Sequence, residues 1–505
     1  MIEIIKLDEP SLLFAHNQAM EDPRDGLTLF GPLDKGKPFG IRAGVIGTKE
    51  GLLRFRKWVE KIQYLTSNNP PQIARPPFPG FEAVYRIPWN PKPSIEIQIS
   101  NIELNKSLHI DDKHQRVYKT VELYSDKIIV ALQQEETKVD LWFVIIPDNV
   151  YKYCRPKSNV ELELQVKADF RMRPWEARKL YREPSLFTER NISAEPYRYE
   201  VNFHNQLKAR LLKYRVPTQI IRESTIAHND FTNYLGKPTR KLDELQSAIA
   251  WHISTATFYK AGGRPWKIGS IREGVCYIGL VFKRDEKNPD GPQMACCAAQ
   301  MFLDSGDGVV FKGAVGPWYN PENGDFHLRR KDAAKLVRMA VESYKKEKGS
   351  PPAELFIHGK IRFDNEEWKG FQEAVDSSTN LVGVRIREDK DLKLYTKGSH
   401  PVLRGCAYIR DERTAYLWTK GFVPRLQTYP GREVPNPLLI DICKGDTNIE
   451  IALNDILGLT KLNYNACVFA DGVPVTLKFA DAVGEILTAG PTDEELPPLP
   501  FCYYI

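Results

Sequence analysis

Positive charge is concentrated in one short stretch of the chain, residues 204–222. The stretch contains no acidic side chain and five basic ones, which are Lys208, Arg210, Lys213, Arg215 and Arg222. Phosphate is an anion that such a local charge attracts. His204 and Lys208 stand four residues apart on a predicted helix, so their side chains share one face. The pattern predicts a phosphate-binding surface, although a solvated helix face would have the same composition.

The whole chain has the composition of a globular protein. It has 505 residues, of which 42% are hydrophobic and 27% charged, and a formal net charge of +6. This length favours two large domains with cores of their own. We find no signal peptide and no run approaching the ~18 apolar residues of a membrane span, so we expect a cytoplasmic protein. The eight cysteines form no CxxC pair and have no zinc spacing with histidine, which predicts reduced thiols.

Strands and helices alternate through the first part of the chain. Strands are predicted over 39–47, 94–99 and 139–147, and an amphipathic helix over 49–65. The third strand, VDLWFVIIP, is apolar throughout and is expected to be buried on both faces. This alternation predicts an α/β layered domain. Residues 165–200 are punctuated by proline and are predicted to form a long, irregular crossing loop.

Three further elements follow the loop. A helix is predicted over 201–214, a strand over 218–224 and a second helix over roughly 243–260. The second helix is expected to stop at Gly262 and Gly263, because glycine is the usual residue of a left-handed helix cap.

From residue 264 the pattern changes to three consecutive strands followed by alternating helices and strands. The predicted elements are strands over 275–284, 293–302 and 308–316, a helix over 331–347, a strand over 354–359, a helix over 365–375 and a strand over 380–386. This is the element order of an RNase H-like domain, and it recurs in other α/β folds.

Two features resemble the Argonaute family. The segment KAGGRPWKI (260–268) resembles the segment that leads into the first strand of the PIWI domain. In type and spacing, His204, Lys208, Gln219 and Lys260 resemble the residues of the MID domain that grip the 5′ phosphate of the guide. His204 stands where most members have tyrosine, and imidazole still donates to phosphate. Two lysines supply charge and a glutamine supplies an oriented amide, which suits a terminal phosphate.

The resemblance implies an α/β chain with a Rossmann-like MID domain over 1–262 and an RNase H-like PIWI domain over 263–505. The chain closes on an apolar segment, PPLPFCYYI. In Argonautes such an end lies between MID and PIWI, and its carboxylate helps to hold a divalent cation. The resemblance therefore implies Mg²⁺ at the guide 5′ phosphate, held by the C-terminal carboxylate of Ile505. Docking of an apolar terminus without metal is the alternative.

The carboxylates of a slicing Argonaute are incomplete in this sequence. Such enzymes bind two Mg²⁺ ions with an Asp-Glu-Asp-Asp or Asp-Glu-Asp-His tetrad. By resemblance, the first aspartate position is Val281 and the third is His358, while the fourth keeps Asp481. The glutamate position is not assigned. One surviving acid, with a neutral or cationic imidazole opposite it, leaves two hard cations without oxygen ligands, which predicts a protein that does not cut.

The length implies the short class of prokaryotic Argonautes, without N-terminal and PAZ domains. Segments such as ACCAAQMFLDSGDG and VFKGAVGPWYNP resemble the subgroup that works with a TIR–APAZ protein. The resemblance implies a guide RNA, a single-stranded target DNA and a heterodimer with the partner, which forms a larger assembly when active. The partner's TIR domain would then hydrolyse NAD(P). A Sir2–APAZ partner is the alternative.

Two functions of other classes compete with this interpretation. One is an active guided endonuclease with a rearranged metal site around Asp481. The other is a general nucleic-acid-binding protein without a guide, which would be indifferent to a 5′ phosphate and strongly salt-dependent.

Overall fold

The computed structural model describes residues 3–134, 138–284, 295–303, 308–316, 325–429, 431, 433–491 and 496–505. The strands are β1 (Glu3–Lys6), β2 (Leu12–Leu13), β3 (Ala19–Met20), β4 (Ala43–Gly47), β5 (Ile95–Gln98), β6 (Leu141–Ile146), β7 (Thr218–Arg222), β8 (Lys267–Ile268), β9 (Val275–Arg284), β10 (Ala295–Leu303), β11 (Gly308–Gly316), β12 (Glu354–Gly359), β13 (Asn380–Glu388), β14 (Cys406–Asp411), β15 (Thr414–Leu417), β16 (Leu438–Lys444) and β17 (Leu499–Pro500).

The helices connect and cover these strands. They are α1 (Pro23–Phe30), α2 (Lys49–Lys61), α3 (Phe81–Tyr85), α4 (Asn101–Leu108), α5 (Lys113–Gln134), α6 (Asp148–Tyr153), α7 (Pro174–Arg182), α8 (Thr188–Ala194), α9 (Phe203–Leu212), α10 (Glu223–Ile226), α11 (Gln246–Lys260), α12 (Arg330–Lys348), α13 (Asn365–Glu373), α14 (Ile449–Leu459), α15 (Val475–Lys478) and α16 (Ala480–Thr488). No helix in the described ranges is both long enough and apolar enough to cross a membrane.

The first part of the chain forms a parallel sheet in the order β5-β4-β6-β7. All six residues of β6 are buried, as its continuous apolar sequence predicts. Helices α5 and α9 pack on one face of the sheet, where Trp142 and Val144 of β6 meet Val121 and Leu207. Helix α2 packs on the other face, against Phe143 and Ile145. A parallel sheet with helices on both faces is the Rossmann-like architecture that the sequence predicts.

The crossover between β6 and β7 differs from its prediction as an irregular loop over 165–200. It contains α7 and α8, which pack together around Ala177, Ala194 and Tyr197. Pro174 is the first residue of α7, a position where its missing N–H costs nothing and its fixed φ suits a helix. The prolines therefore mark where short helices begin, and their presence does not exclude helical structure.

The second part forms a ten-stranded sheet in the order β1-β14-β15-β16-β13-β12-β9-β10-β11-β17. Strands β9, β10 and β11 are antiparallel neighbours, and β12 lies parallel to both β9 and β13. Helices α12 and α13 cover one face through a core that includes Ile278 and Ile357. Helices α15 and α16 pack against β9 on the other face. The order β11-β10-β9-β12-β13 confirms the RNase H-like architecture.

The domain boundary between residues 262 and 263 stays a prediction. Two strand pairings join residues on either side of it. Strand β1 pairs with β14 at the edge of the ten-stranded sheet. Strand β2 pairs with β8, so residues near the start of the chain share a small sheet with Lys267 and Ile268. The N-terminal residues therefore belong structurally to the second part as well as to the first.

A buried ion cluster fastens the N-terminal segment to the second part. Arg404 donates from Nε to both carboxylate oxygens of Glu9, each at 3.0 Å. Lys461 donates from Nζ to Glu9 at 2.8 Å. The side chains of Arg404 and Lys461 are only 3% and 0% exposed, so one carboxylate balances two cations taken out of water. The cluster depends on Glu9.

Candidate anion-binding pocket and the adjoining cleft

Three elements of the first part bring the four predicted phosphate-binding residues together. Helix α9 carries His204 and Lys208 one turn apart, and its first turn is capped by Asn202. Strand β7 carries Gln219, and α11 ends at Lys260. Two residues beyond that end, Gly262 has a φ of 94°, the left-handed conformation expected there. Helix ends and a strand start therefore converge at one place.

The hydrogen bonds of the pocket are short and involve both lysines. Lys260 donates from Nζ to Oε1 of Gln219 at 2.6 Å and to the carbonyl oxygen of Thr218 at 3.0 Å. Lys208 donates from Nζ to a main-chain oxygen of Ile505 at 2.5 Å. Ile505 thus lies beside Lys208. His204 lies exposed at the mouth, where Nδ1 is hydrogen-bonded to Oδ1 of Asn205 at 3.1 Å.

The electrostatics of the pocket favour an anion. Burial lowers the pKa of Lys208 to about 7. Burial and the neighbouring Lys208 lower the pKa of Lys260 well below its ordinary value. In the described part of the chain no Asp or Glu side chain lies within ion-pair distance of either lysine Nζ, and Lys208 has the Ile505 oxygen as its acceptor, so an incoming anion would favour the charged form of both lysines.

The sequence did not reveal two residues of this region. One is Cys502, whose thiol lies near Lys208 and Lys260. Burial raises the pKa of this thiol to about 11, and the two lysines partly offset the rise. Its place in the apolar segment PPLPFCYYI was the available signal. Asn205 follows His204 on α9, and no pattern distinguishes it from other polar residues of that helix.

Oxygen ligands for a divalent cation are present beside the lysines. Magnesium requires hard oxygen donors. The main-chain oxygen of Ile505 and Oε1 of Gln219 are such donors, and each is in contact with a lysine Nζ.

The residues predicted for the tetrad of the second part lie around the end of β12. His358 is buried, and its Nδ1 is hydrogen-bonded to Oγ1 of Thr476 at 2.9 Å. Burial lowers the pKa of His358 to about 3, so the ring is neutral. Gly279 lies beside His358 in the sheet, and a Cβ there would be 1.9 Å from the carbonyl oxygen of Thr476. Helix α15 therefore packs directly on β9. Val281 of β9 pairs with Ala298 of β10. The side chain of Val281 lies outside the described part of the structure.

Asp481, the predicted fourth position of the tetrad, is engaged by a lysine. Lys360 donates from Nζ to both carboxylate oxygens of Asp481, each at 3.0 Å. One turn along α16, Glu485 accepts a hydrogen bond from Nζ of Lys283 at 3.5 Å. Within the described ranges no three His, Cys, Asp or Glu side chains are grouped as metal ligands.

Hydrogen bonds connect helix α9, which carries His204 and Lys208, with helix α16, which carries Asp481. Asn205, which is bonded to His204, also donates from Nδ2 to Oε2 of Glu485 at 3.4 Å. The same carboxylate receives Lys283 through its other oxygen. Helix α9 of the first part and α16 of the second are thus joined through Glu485.

The fold is similar to solved Argonaute structures. One is Clostridium butyricum Argonaute bound to a guide DNA and a 19-mer target DNA, with a TM-score of 0.63 and 16% sequence identity over 100% of this chain and 55% of that one. Another is Aquifex aeolicus Argonaute, with a TM-score of 0.51 and 14% identity over 99% of this chain and 57% of that one. An Aa-Ago structure with externally bound siRNA has a TM-score of 0.54 and 15% identity over 99% of this chain and 56% of that one.

The chain spans about half the length of the structures it matches. No protein-family model matches it, and no curated protein matches its sequence. The similarity therefore lies in the arrangement of the elements, which includes the parallel sheet, the RNase H-like sheet and the helices that join them. The chain has the MID–PIWI fold of Argonaute proteins.

Proposed function

We propose that this protein binds a guide RNA by its 5′ phosphate and uses it to recognise single-stranded target DNA without cutting it. The observation that carries the proposal is the convergence of two buried lysines, Lys208 and Lys260, whose Nζ atoms donate to Ile505 and Gln219. Neither faces a carboxylate side chain in the described part of the chain. A terminal phosphate carries more negative charge than an internal phosphodiester, so it suits two converging cations better.

The Argonaute fold supports the same role. The Clostridium butyricum protein of this fold is bound to a guide and to a target. In such a division of labour, base pairing reads the target sequence while the protein holds the guide by its end and its backbone.

The proposal is tested by loading the protein with 5′-phosphorylated RNA and measuring its affinity for complementary single-stranded DNA. We expect binding to the complement and only weak binding to a scrambled DNA. The same RNA with a 5′ hydroxyl is expected to load poorly. Equal loading of the two RNAs, with a steep dependence on salt, would favour a general nucleic-acid-binding protein instead.

We expect the loaded protein to leave its target intact. The third tetrad position is the buried, neutral His358, and Asp481 is engaged by Lys360. Two-metal hydrolysis needs several carboxylates around both ions. End-labelled complementary DNA incubated with Mg²⁺ or Mn²⁺ should therefore yield no product above the protein-free control. Product that accumulates with the wild type and disappears with Asp481→Asn would instead support a rearranged nuclease site.

We also propose that Mg²⁺ joins the phosphate in the pocket. The main-chain oxygen of Ile505 and Oε1 of Gln219 would hold it, and the cation would neutralise phosphate charge. Removal of divalent cations with EDTA is expected to weaken binding of 5′-phosphorylated RNA several-fold, with little change for 5′-hydroxyl RNA. Unchanged affinity for the phosphorylated RNA in EDTA would mean that the lysines act without metal.

The proposed function includes a partner protein. We propose a TIR–APAZ protein, which hydrolyses NAD(P) once guide and target are bound, in prokaryotic defence against invading nucleic acid. Support for this step is the resemblance of ACCAAQMFLDSGDG and VFKGAVGPWYNP to that subgroup. Co-purification with the second chain, followed by an assay of NAD(P) consumption with and without target DNA, tests it. Recovery of a Sir2–APAZ chain would favour the alternative partner.

A further inference from the structure

Cationic side chains gather at one edge of the ten-stranded sheet. Strands β9, β12 and β13 run parallel, so their carboxyl ends meet at the same edge. Lys283 lies near the end of β9, and Lys360 directly follows β12. Arg385 lies opposite Gly359 in β13. The buried His358 lies in β12, two residues before Lys360.

Each of these cations is paired with a carboxylate on a neighbouring element. Lys360 and Lys283 contact Asp481 and Glu485, which lie one turn apart on α16. Two guanidinium groups, those of Arg362 and Arg385, share the carboxylate of Asp441 at 2.8 and 3.0 Å. Four cations therefore face three carboxylates.

The outermost pair is open to solvent. The side chain of Lys360 is 52% exposed and that of Asp481 is 73% exposed. An exposed ion pair is weak, so the ammonium group remains available to a competing anion. Arg362 is also exposed, at 68%, two residues further along the chain.

The side chains at this edge include cations, whereas those of a two-metal nuclease site are mainly carboxylates. Clustered carboxylates repel phosphodiesters until divalent cations bind between them. At this edge lysine and arginine side chains already supply the positive charge. A lysine ammonium is a point charge with three donors, which suits a phosphate oxygen without metal.

We propose that this edge is a metal-independent binding site for the phosphodiester backbone of the target strand, with Lys360 supplying beside Asp481 the charge that a metal ion supplies in a nuclease. The inference rests on the proposed function, because it requires a guide to bring the target to this edge. It adds to that function the residues that hold the target and the chemical reason that no metal is needed to hold it.

The test uses the full-length protein loaded with 5′-phosphorylated RNA, with the loaded fraction and the target binding both measured in EDTA. Lys360→Ala is expected to weaken binding of complementary DNA roughly threefold to tenfold, equally for all target sequences, and to lower the salt slope by about one. Asp481→Asn is expected to strengthen binding about twofold or more, because it removes a competing carboxylate.

Lys369→Ala is a matched control. Lys369 is 53% exposed and pairs with Glu366 at 2.7 Å, so it resembles Lys360 in exposure and pairing but lies on α13. It is expected to leave target binding unchanged. All variants should melt at the wild-type temperature, since the altered side chains are exposed.

Three results would overturn the inference. The first is normal guide loading together with equal target affinity of Lys360→Ala and Lys369→Ala. This result would refute the inference but not the proposed function. Weaker binding by Asp481→Asn, together with a Mg²⁺ requirement in the wild type, would place a metal ion at Asp481 and also refute the inference. Failure of the wild type to load a guide would refute the proposed function, and the inference with it.

Discussion

Replacement of both Lys208 and Lys260 with alanine is expected to abolish loading of 5′-phosphorylated RNA. Each lysine would donate a charged hydrogen bond to the phosphate, and such bonds contribute about 1.5–3 kcal/mol each. Loss of both therefore corresponds to a decrease in affinity of roughly a hundredfold to ten-thousandfold. Filter binding of labelled RNA at physiological salt measures this change.

Two controls separate the pocket from general charge and from folding. Lys213→Ala removes an exposed lysine just after the same helix and is expected to leave loading nearly unchanged. Lys208→Met with Lys260→Met keeps the apolar stems packed and should lose loading as the alanine pair does. The double variants should also no longer distinguish a 5′ phosphate from a 5′ hydroxyl. Normal affinity of either double variant for 5′-phosphorylated RNA would show that the pocket is assigned wrongly.

Replacement of Glu9 with alanine is expected to have the largest effect on stability. The change leaves Arg404 and Lys461 buried without a counter-charge, and loss of one member of a buried ion cluster costs about 3–5 kcal/mol. Burial opposes ionisation of Glu9, but Arg404 and Lys461 outweigh it and lower its pKa. Urea denaturation measures the decrease in the free energy of unfolding.

A surface carboxylate provides the comparison. Glu96 pairs with Arg56 where both side chains are partly exposed, so Glu96→Gln should cost less than about 1 kcal/mol. The contribution of Glu9 is present above the ordinary pKa of glutamate and is lost as the pH falls through its lowered pKa. The difference between Glu9→Ala and wild type should therefore shrink in acid. Equal costs for the Glu9 and Glu96 variants at neutral pH would contradict the role of the buried cluster.

Much of the second part could be predicted from the sequence because its elements are long and periodic. The strand at 354–359 and the helix from 330 to 348 lie within a residue of their predicted bounds. The pocket was predictable for a different reason. Lys208, Gln219 and Lys260 lie on three separate elements, and only the family resemblance indicated that they meet.

Other features depend on tertiary packing, to which sequence patterns are blind. Strand β1 is short and largely exposed, so its pairing with β14 has no hydrophobic signature. Lys360 resembles any solvated lysine until α16 places Asp481 against it. The helices of the proline-rich crossover have no clear sequence signature, because proline marks both loops and helix starts.

The pairing of β1 with β14 also affects how the protein can be divided for biochemical work. A polypeptide that begins at residue 263 would lack β1, and the N–H and C=O groups of β14 on that side would be left without partners. Uncovered strands of this kind recruit other chains and aggregate. The same polypeptide would lack Glu9 and would leave Arg404 and Lys461 uncompensated. Isolated halves cut at that residue would therefore be poor substitutes for the intact molecule in solution studies.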